Sequence, residues 1–243
     1  MTKSLEGRIA VVTGASSGIG AATAQRFVQA GAKVAAVARR ADRLEQLDGA
    51  LAVTADLSDP QAAQRVADTV HEQLGRVDLV VANAGVMLGA PFEEAEEDEF
   101  ERMIDLNFRG LVRTGRVFAD DLLAAAAEGG RADLIHVGSV ASHLLFPNWA
   151  VYGATKAAVA QLTRNLRAEY GPRGVRVKTV EPGIVTTELG ADMSHPAGIA
   201  ELERLREMKT LEAGDIAEAI LYAAAAPAHV NLAELVVVPT AQG

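Results

Sequence analysis

Two rhythms of apolar residues alternate along this chain. Short runs with little polar interruption cover Ile9–Val12, Lys33–Ala38, Leu51–Val53, Val77–Val81, Asp133–Val137, Val175–Val180 and Leu235–Val238. Runs of that length and continuity predict strands buried on both faces of a sheet. Between them lie longer segments in which apolar residues return every three or four positions, which predicts amphipathic helices. The first has Ile19, Thr23, Phe27 and Ala30 facing inward and Gly31 as its stop; the next follows Pro60 with Ala63, Val66, Ala67, Val70 and Leu74. One long helix is predicted from Glu97 to Ala127, another from Tyr152 to Tyr170 and a last one from Asp215. Only Thr186 to Leu211 lacks a sustained period, and with Gly190, Pro196 and Gly198 it is expected to be an irregular, mobile lid. Strand and helix alternate with no linker and no internal repeat. The expected architecture is therefore one α/β domain over residues 1–243, a doubly wound parallel sheet of about seven strands with helices on both faces and right-handed crossovers.

In such a sheet ligands bind beyond the carboxyl ends of the strands, and the unusual residues of this chain collect there. The first strand runs into Thr13-Gly14-Ala15-Ser16-Ser17-Gly18-Ile19-Gly20. Three glycines between a buried strand and a helix let backbone approach a phosphate, and the helix amino terminus adds N–H donors and a positive dipole end. The spacing is G-x-x-x-G-x-G, which differs from the G-x-G-x-x-G dinucleotide fingerprint. The second strand delivers Arg39 and Arg40 where an acid would accept from a free ribose 2′-hydroxyl; arginine instead suits a 2′-phosphate, so NADP is preferred to NAD. Asp56 contacts adenine or caps a turn. The fourth strand ends in Asn83-Ala84-Gly85, small enough to leave room for a cofactor. The acids Glu93, Glu94, Glu96, Glu97, Asp98 and Glu99 complement the dipole of the helix that follows. Within that helix Asn107 is a poor helix former, and a locally costly polar residue points to function.

The most telling pair is Tyr152 and Lys156 in Tyr152-Gly153-Ala154-Thr155-Lys156. Four residues apart on a helix, the two side chains share a face. An ammonium beside a phenol favours the phenolate and is expected to lower the tyrosine pKa, making Tyr152 a candidate general acid or base.

Composition narrows the field. The chain has 243 residues, 49% of them hydrophobic, enough for a large core. With 23 basic and 32 acidic residues its net charge is −9, which argues against nucleic acid or an anionic membrane as partner. There is no cysteine, so disulfides and cysteine-ligated metals are excluded, and five scattered histidines form no ligand cluster. Met1 to Glu6 lacks an apolar signal core and no long apolar run follows, so a soluble cytoplasmic protein is expected.

The ordered set T-G-A-S-S-G-I-G at Thr13 to Gly20, N-A-G at Asn83 to Gly85, Asn107, Ser139, Y-G-A-T-K at Tyr152 to Lys156 and P-G at Pro182-Gly183 resembles the classical short-chain dehydrogenase/reductase family. The likeness spans essentially the whole chain. It implies a Rossmann-like fold, an NADP(H) cofactor and a small carbonyl or alcohol substrate. By that likeness Tyr152 donates the proton in carbonyl reduction and Ser139 hydrogen-bonds the substrate oxygen. Lys156 lowers the tyrosine pKa and holds the nicotinamide ribose, and Asn107 anchors a relay water. The cofactor contacts implied are Gly14, Ser16, Ser17, Gly18, Ile19, Gly20, Arg39, Arg40, Asp56, Leu57, Asn83, Ala84, Gly85, Tyr152, Lys156, Pro182, Gly183, Val185 and Thr187. Ala82 departs from the pattern, since relatives often carry a second asparagine there. Leu88, Leu144, Phe146, Trp149, Leu189 and Met193 are expected to line a largely apolar substrate pocket; His143, close to Ser139 in sequence, either faces substrate or is a loop residue without a role, and the second is expected. The likeness also implies a homo-oligomer, tetramer or dimer, paired through the helices Glu97–Ala127 and Tyr152–Tyr170. Two other readings stay open: an epimerase or dehydratase on the same fold, and a non-catalytic NADP-sensing protein.

Overall fold

A computed structural model describes residues 4–242. In chain order the elements are β1 (Ile9–Thr13), α1 (Gly18–Gln29), β2 (Lys33–Ala38), the single turn α2 (Ala41–Leu44), β3 (Ala50–Thr54), α3 (Ala62–Gln73), β4 (Leu79–Ala82), α4 (Glu97–Met103), α5 (Leu111–Val117), α6 (Ala119–Ala127), β5 (Asp133–Val137), α7 (Ala150–Tyr170), β6 (Arg176–Pro182), β7 (Val185–Thr186), α8 (Pro196–Arg206), β8 (Leu211–Glu212), α9 (Ala213–Ala225) and β9 (Glu234–Val237). Seven strands form one parallel sheet in the order β3-β2-β1-β4-β5-β6-β9. The order reverses beside β1, with β2 on one side and β4 on the other, which opens a crevice at the carboxyl ends of those strands.

The period-two alternation of the strands sorts their side chains onto two faces. Ala10, Val12, Val34, Ala36, Leu79 and Val81 pack with Phe27 of α1 and Ile216 and Ile220 of α9. Their neighbours Val11, Ala35, Val37 and Val80 pack on the other face with Val66 and Val70 of α3 and with Phe118 and Leu122. Continuous apolar runs are thus what a sheet covered on both sides requires.

The predicted single helix from Glu97 to Ala127 is not continuous. It widens to a π-helix over Ile104–Gly110 and breaks at Phe118, whose φ of −100° and ψ of 5° leave the helical region. The break turns Phe118 into the core, so the apolar period survives while the axis does not. The acids Glu97, Asp98 and Glu99 do occupy a helix first turn. A second correction concerns Thr186 to Leu211, which contains the eleven-residue helix α8. Its start, Pro196 at the first turn with His195 Nδ1 accepting from Ala197 N–H, resembles loop chemistry, and its buried stripe is only Gly198, Leu202 and Leu205. The two-residue parallel pair Val185↔Leu211 and Thr186↔Glu212 ties the base of this insert together.

At the amino ends of β5 and β6 the sheet buries charge. Asp133 accepts from Arg8 Nη2 (2.9 Å), Arg176 Nη2 (2.7 Å) and Lys178 Nζ (2.5 Å), and Arg8 Nε reaches Asp78 Oδ1 (2.7 Å). Arg176 and Lys178 also donate to the carbonyls of Ala224 and Ala223, where cations complement the carboxyl end of α9. Burial alone would raise the Asp133 carboxyl, but Lys178, Arg8 and Arg176 outweigh it and hold the group below its ordinary range.

Candidate active site

The turn after β1 is shaped by absent side chains. Gly14 has φ +67°, and a Cβ on it would lie 2.7 Å from Asn83 Nδ2; a Cβ on Gly20 would lie 2.2 Å from the Gly14 carbonyl oxygen. The loop is therefore wound onto itself, and it leads directly into α1. Thr13 secures it from below, its Oγ1 accepting from the N–H groups of Asn83 (2.9 Å) and Ala84 (3.0 Å). Asn83 returns Nδ2 to the Thr13 carbonyl (2.9 Å), so its amide braces the turn from the next strand. These contacts show how the ends of β1 and β4 become one rigid floor.

That floor belongs to a single open cavity of about 820 Å³ running across the carboxyl ends of the sheet. At its β2 end lie Arg39, Arg40, Asp56 and Leu57, with Ser16 and Ser17 hydrogen-bonded to Arg40; in the middle Gly14, Gly18, Ile19, Asn83, Ala84, Gly85 and Thr187, the last beside Gly18; at the far end Ser139, Tyr152, Lys156, Pro182, Gly183 and Val185. Gly20, packed against the Gly14 carbonyl and Asn83, does not line the cavity. Asp56 caps a turn, accepting from Ser58 N–H (3.0 Å) and Oγ (2.7 Å), and it also borders the cavity. Phe146, Trp149 and Leu189 line the cavity as expected of a substrate wall. Leu144, Leu88 and Met193 do not: Leu144 is 44% exposed on its turn, while Leu88 and Met193 are buried among Met87, Trp149 and Leu202 behind the wall. Val86, Met87 and Leu205 line it in their stead, and Arg102, Asp105, Asp192 and Arg206 stand at its rim.

Tyr152 and Lys156 share one face of α7, and both are buried, at 5% and 7% exposure. Lys156 Nζ lies 5.8 Å from the Tyr152 ring centre and donates to the Val137 carbonyl (3.1 Å). Burial dominates their titration. It pushes the Tyr152 phenol up to about 12 against the pull of the Ser139 hydroxyl, and it brings the Lys156 ammonium down to about 8. The lowered tyrosine pKa expected from spacing alone is thus reversed, because desolvation of the phenolate outweighs the hydrogen bond with Ser139 that favours it.

Asn107 lies in the π-helical turn, 1% exposed, and its side chain is committed. Oδ1 accepts from Val86 N–H (2.8 Å), while Nδ2 donates to the Val86 carbonyl (2.9 Å) and to Thr155 Oγ1 (3.2 Å). The amide thereby ties the wall at Val86 to the helix that carries Tyr152. Its two N–H donors are both spent within the protein.

Two participants escaped the sequence reading. Gln242 Oε1 accepts from Ile184 N–H (2.8 Å) and borders the cavity beside Gly183, a contact across 58 positions that no local pattern announces. Glu181, buried at 3%, accepts from Ser142 Oγ (3.2 Å) and lies 3.3 Å from His143 Nδ1, so His143 has a partner after all. Its one signal was an acid inside an apolar strand. Among the described residues no cluster of histidine and acid has the geometry to hold a metal ion, and no helix is long and apolar enough to cross a membrane.

Comparison with known proteins bears on this geometry. Residues 8–197 match the family described as short chain dehydrogenase. This chain is a member of the short-chain dehydrogenase family. A curated relative, sulfoacetaldehyde reductase 2 of Chromohalobacter salexigens, is 37% identical over 242 residues, covering 96% of this chain and 95% of its own. Among solved structures, the closed form of serine dehydrogenase complexed with NADP+ superposes with TM-score 0.87 at 32% identity, covering 97% of this chain and 96% of that one. The 3-ketoacyl-(acyl-carrier-protein) reductase from Brucella melitensis complexed with NADH also gives 0.87, at 30% identity over 96% and 98% of the two chains. Family membership makes the chain an oxidoreductase and accounts for the seven-stranded doubly wound sheet.

Proposed function

We propose that this short-chain dehydrogenase is an NADP(H)-dependent reductase of a small carbonyl compound, acting in reverse as an alcohol or hydroxy acid dehydrogenase. The observation that carries the reading is one cavity with Ser139, Tyr152 and Lys156 at one end and Arg40, Ser16 and Ser17 at the other. Relatives of the same fold hold either NADP+ or NADH, so fold alone does not choose the cofactor. Arg40 does, because its guanidinium faces two serine hydroxyls where a phosphate ester fits.

The wound glycine turn and the amino end of α1 fit a diphosphate, since a turn whose packing admits no Cβ at Gly14 or Gly20 leaves backbone N–H groups able to approach a phosphate closely. Asp56 and Leu57 would flank adenine, Asn83, Ala84 and Gly85 the central ribose, and Pro182, Gly183, Val185 and Thr187 the nicotinamide end. When bound, the nicotinamide supplies or accepts the hydride. The chain's own residues handle oxygen and proton. Ser139 and Tyr152 hydroxyls are donors in place for the charge that builds on a carbonyl oxygen. A phenol held near 12 stays protonated through neutral pH, which suits proton donation and hence reduction. Lys156, charged below about 8, supports that donation and is placed to hold the nicotinamide ribose.

The insert 187–210, standing on the β7–β8 stem, is the proposed lid over Phe146 and Trp149, with its own Leu189 facing the cavity. A panel of small aldehydes, ketones and hydroxy acids, including the sulfonated and amino acid compounds in the relatives' names, tests the reading by NADPH consumption or formation. No turnover of any carbonyl by folded protein would refute it. With the best substrate, the wild type favours NADPH over NADH by tenfold or more in kcat/KM, as charge-assisted contacts of about 1.5–3 kcal/mol each imply. Arg39→Ala with Arg40→Ala loses that preference; a wild type favouring NADH would contradict the assignment.

Assembly is part of the proposal. Ala154 on α7 is exposed and Ala157, Ala158 and Leu162 only partly covered, while Val112 of α5 is 38% exposed. A two-fold contact would cover these surfaces and stiffen the helix presenting Tyr152. Light scattering coupled to size exclusion is expected to give a dimer or tetramer. An active monomer at micromolar concentration would count against it.

A further inference from the structure

Besides Asp56, a second acidic residue sits at the cationic end of the cavity. Arg40 spends Nε and Nη2 on Ser16 Oγ (3.1 and 3.0 Å) and Nη2 also on Ser17 Oγ (2.9 Å). Its remaining edge, Nη1, donates to Glu188 Oε2 at 2.7 Å, and Arg43 Nη1 lies 3.5 Å from Glu188 Oε1. Glu188 belongs to the insert above β7 and lies between Thr187 and Leu189, whose carbonyls accept from Arg206 Nη2 (3.0 and 3.4 Å). Arg40, Ser16, Ser17 and Glu188 all border the cavity.

The arrangement has the donors a phosphate ester would use and one acceptor that it would displace. Ser16 Oγ, which accepts from Arg40, keeps its own O–H for an anion, whereas Ser17 is also hydrogen-bonded to Glu188. Glu188 has no such flexibility: as a carboxylate it only accepts, and it repels a dianionic group brought to the same guanidinium. The Arg40 hydrogen bond, followed by the charges of Arg40 and Arg43, holds its carboxyl below the ordinary glutamate range, so the competitor stays charged at neutral pH. A free 2′-hydroxyl brings no charge into this contest.

We infer that Glu188 is a specificity-determining residue, an internal competitor that occupies the Nη1 edge of Arg40 and must yield to the cofactor 2′-phosphate. It weakens NADP(H) binding, leaves NAD(H) binding unaffected, and so eases release of the tightly held phosphorylated cofactor. This rests on the NADP(H) reading above. Because Glu188 is in the insert, its displacement also loosens one of the ties between the adenosine end of the cavity and the segment bordering Leu189.

The test is calorimetric titration of the full chain with 2′,5′-ADP, which carries the phosphate, and with 5′-AMP, which lacks it. Glu188→Gln is expected to bind 2′,5′-ADP about three- to tenfold tighter, the range of a half-exposed ion pair plus relieved like-charge repulsion, with 5′-AMP unchanged. In an Arg40→Ala background the same substitution is expected to give no gain. Unchanged or weaker 2′,5′-ADP binding by Glu188→Gln overturns the inference, as does an equal gain for 5′-AMP or a gain that persists without Arg40. A wild type that binds 2′,5′-ADP no tighter than 5′-AMP would instead remove the NADP(H) reading beneath it.

Discussion

Tyr152→Phe lowers turnover by about 10²–10⁴, the usual weight of one general acid, while leaving the fold and cofactor binding in place. The ring, carried on α7, is 95% buried in the apolar cluster with Met87, Trp149 and Leu202, and phenylalanine fills the same volume. What is lost is the single O–H facing Ser139 across the cavity. The pH profile sharpens the test. With the phenol near 12 and Lys156 near 8, the acid form of both persists at pH 7. Reduction by the wild type, followed as kcat/KM, is therefore expected to decline as pH rises through about 8, where Lys156 loses its charge. A folded Tyr152→Phe protein with near-normal turnover would remove Tyr152 from the mechanism.

Asp133→Ala is expected to cost about 3–5 kcal/mol of stability, the typical penalty for removing one partner of a buried ionic group. The carboxylate is fully buried and answers three cations, Arg8, Arg176 and Lys178; without it they face one another with only half-buried Asp78 nearby. For a chain of this size the loss appears as a fall in Tm of about 6–20 °C. Asp133 has a depressed folded pKa, so its contribution is present above the unfolded value of about 3.9 and disappears as pH falls through the folded one. The gap between wild type and variant therefore closes in acid. The cluster lies at the amino ends of the strands, opposite the cavity, so kcat of the surviving folded fraction is expected to be unchanged. A stability loss under 1 kcal/mol would show that the cations find other partners.

Much of this was legible in the chain. Continuous apolar strands alternating with amphipathic segments are a local consequence of burial on two faces, and β2 and β5 begin and end at the residues their pattern marks. Glycines at Gly14 and Gly20 declared a backbone constraint that the closed turn requires. The break at Phe118 was not legible, since apolar spacing carries on across it and only packing bends the axis. Nor was α8, whose Pro196 and Gly198 imitate a loop until Leu202 and Leu205 find the cluster behind the wall.

The sequence by itself determined the order of strands and helices, the glycine-rich turn after β1, and which side chains would meet at the strand ends, because each depends on short-range periodicity and on the topology rules of parallel sheets. Tertiary structure decided what those side chains become. Spacing placed a lysine near a tyrosine, yet desolvation set the phenol at about 12, a quantity that depends on everything packed around α7. Spacing offered arginines to a phosphate, yet only the folded insert brings Glu188 across 148 positions to Arg40. Proton affinity and charge competition are properties of a solvent-excluded volume, and such a volume exists only once distant segments have closed around it.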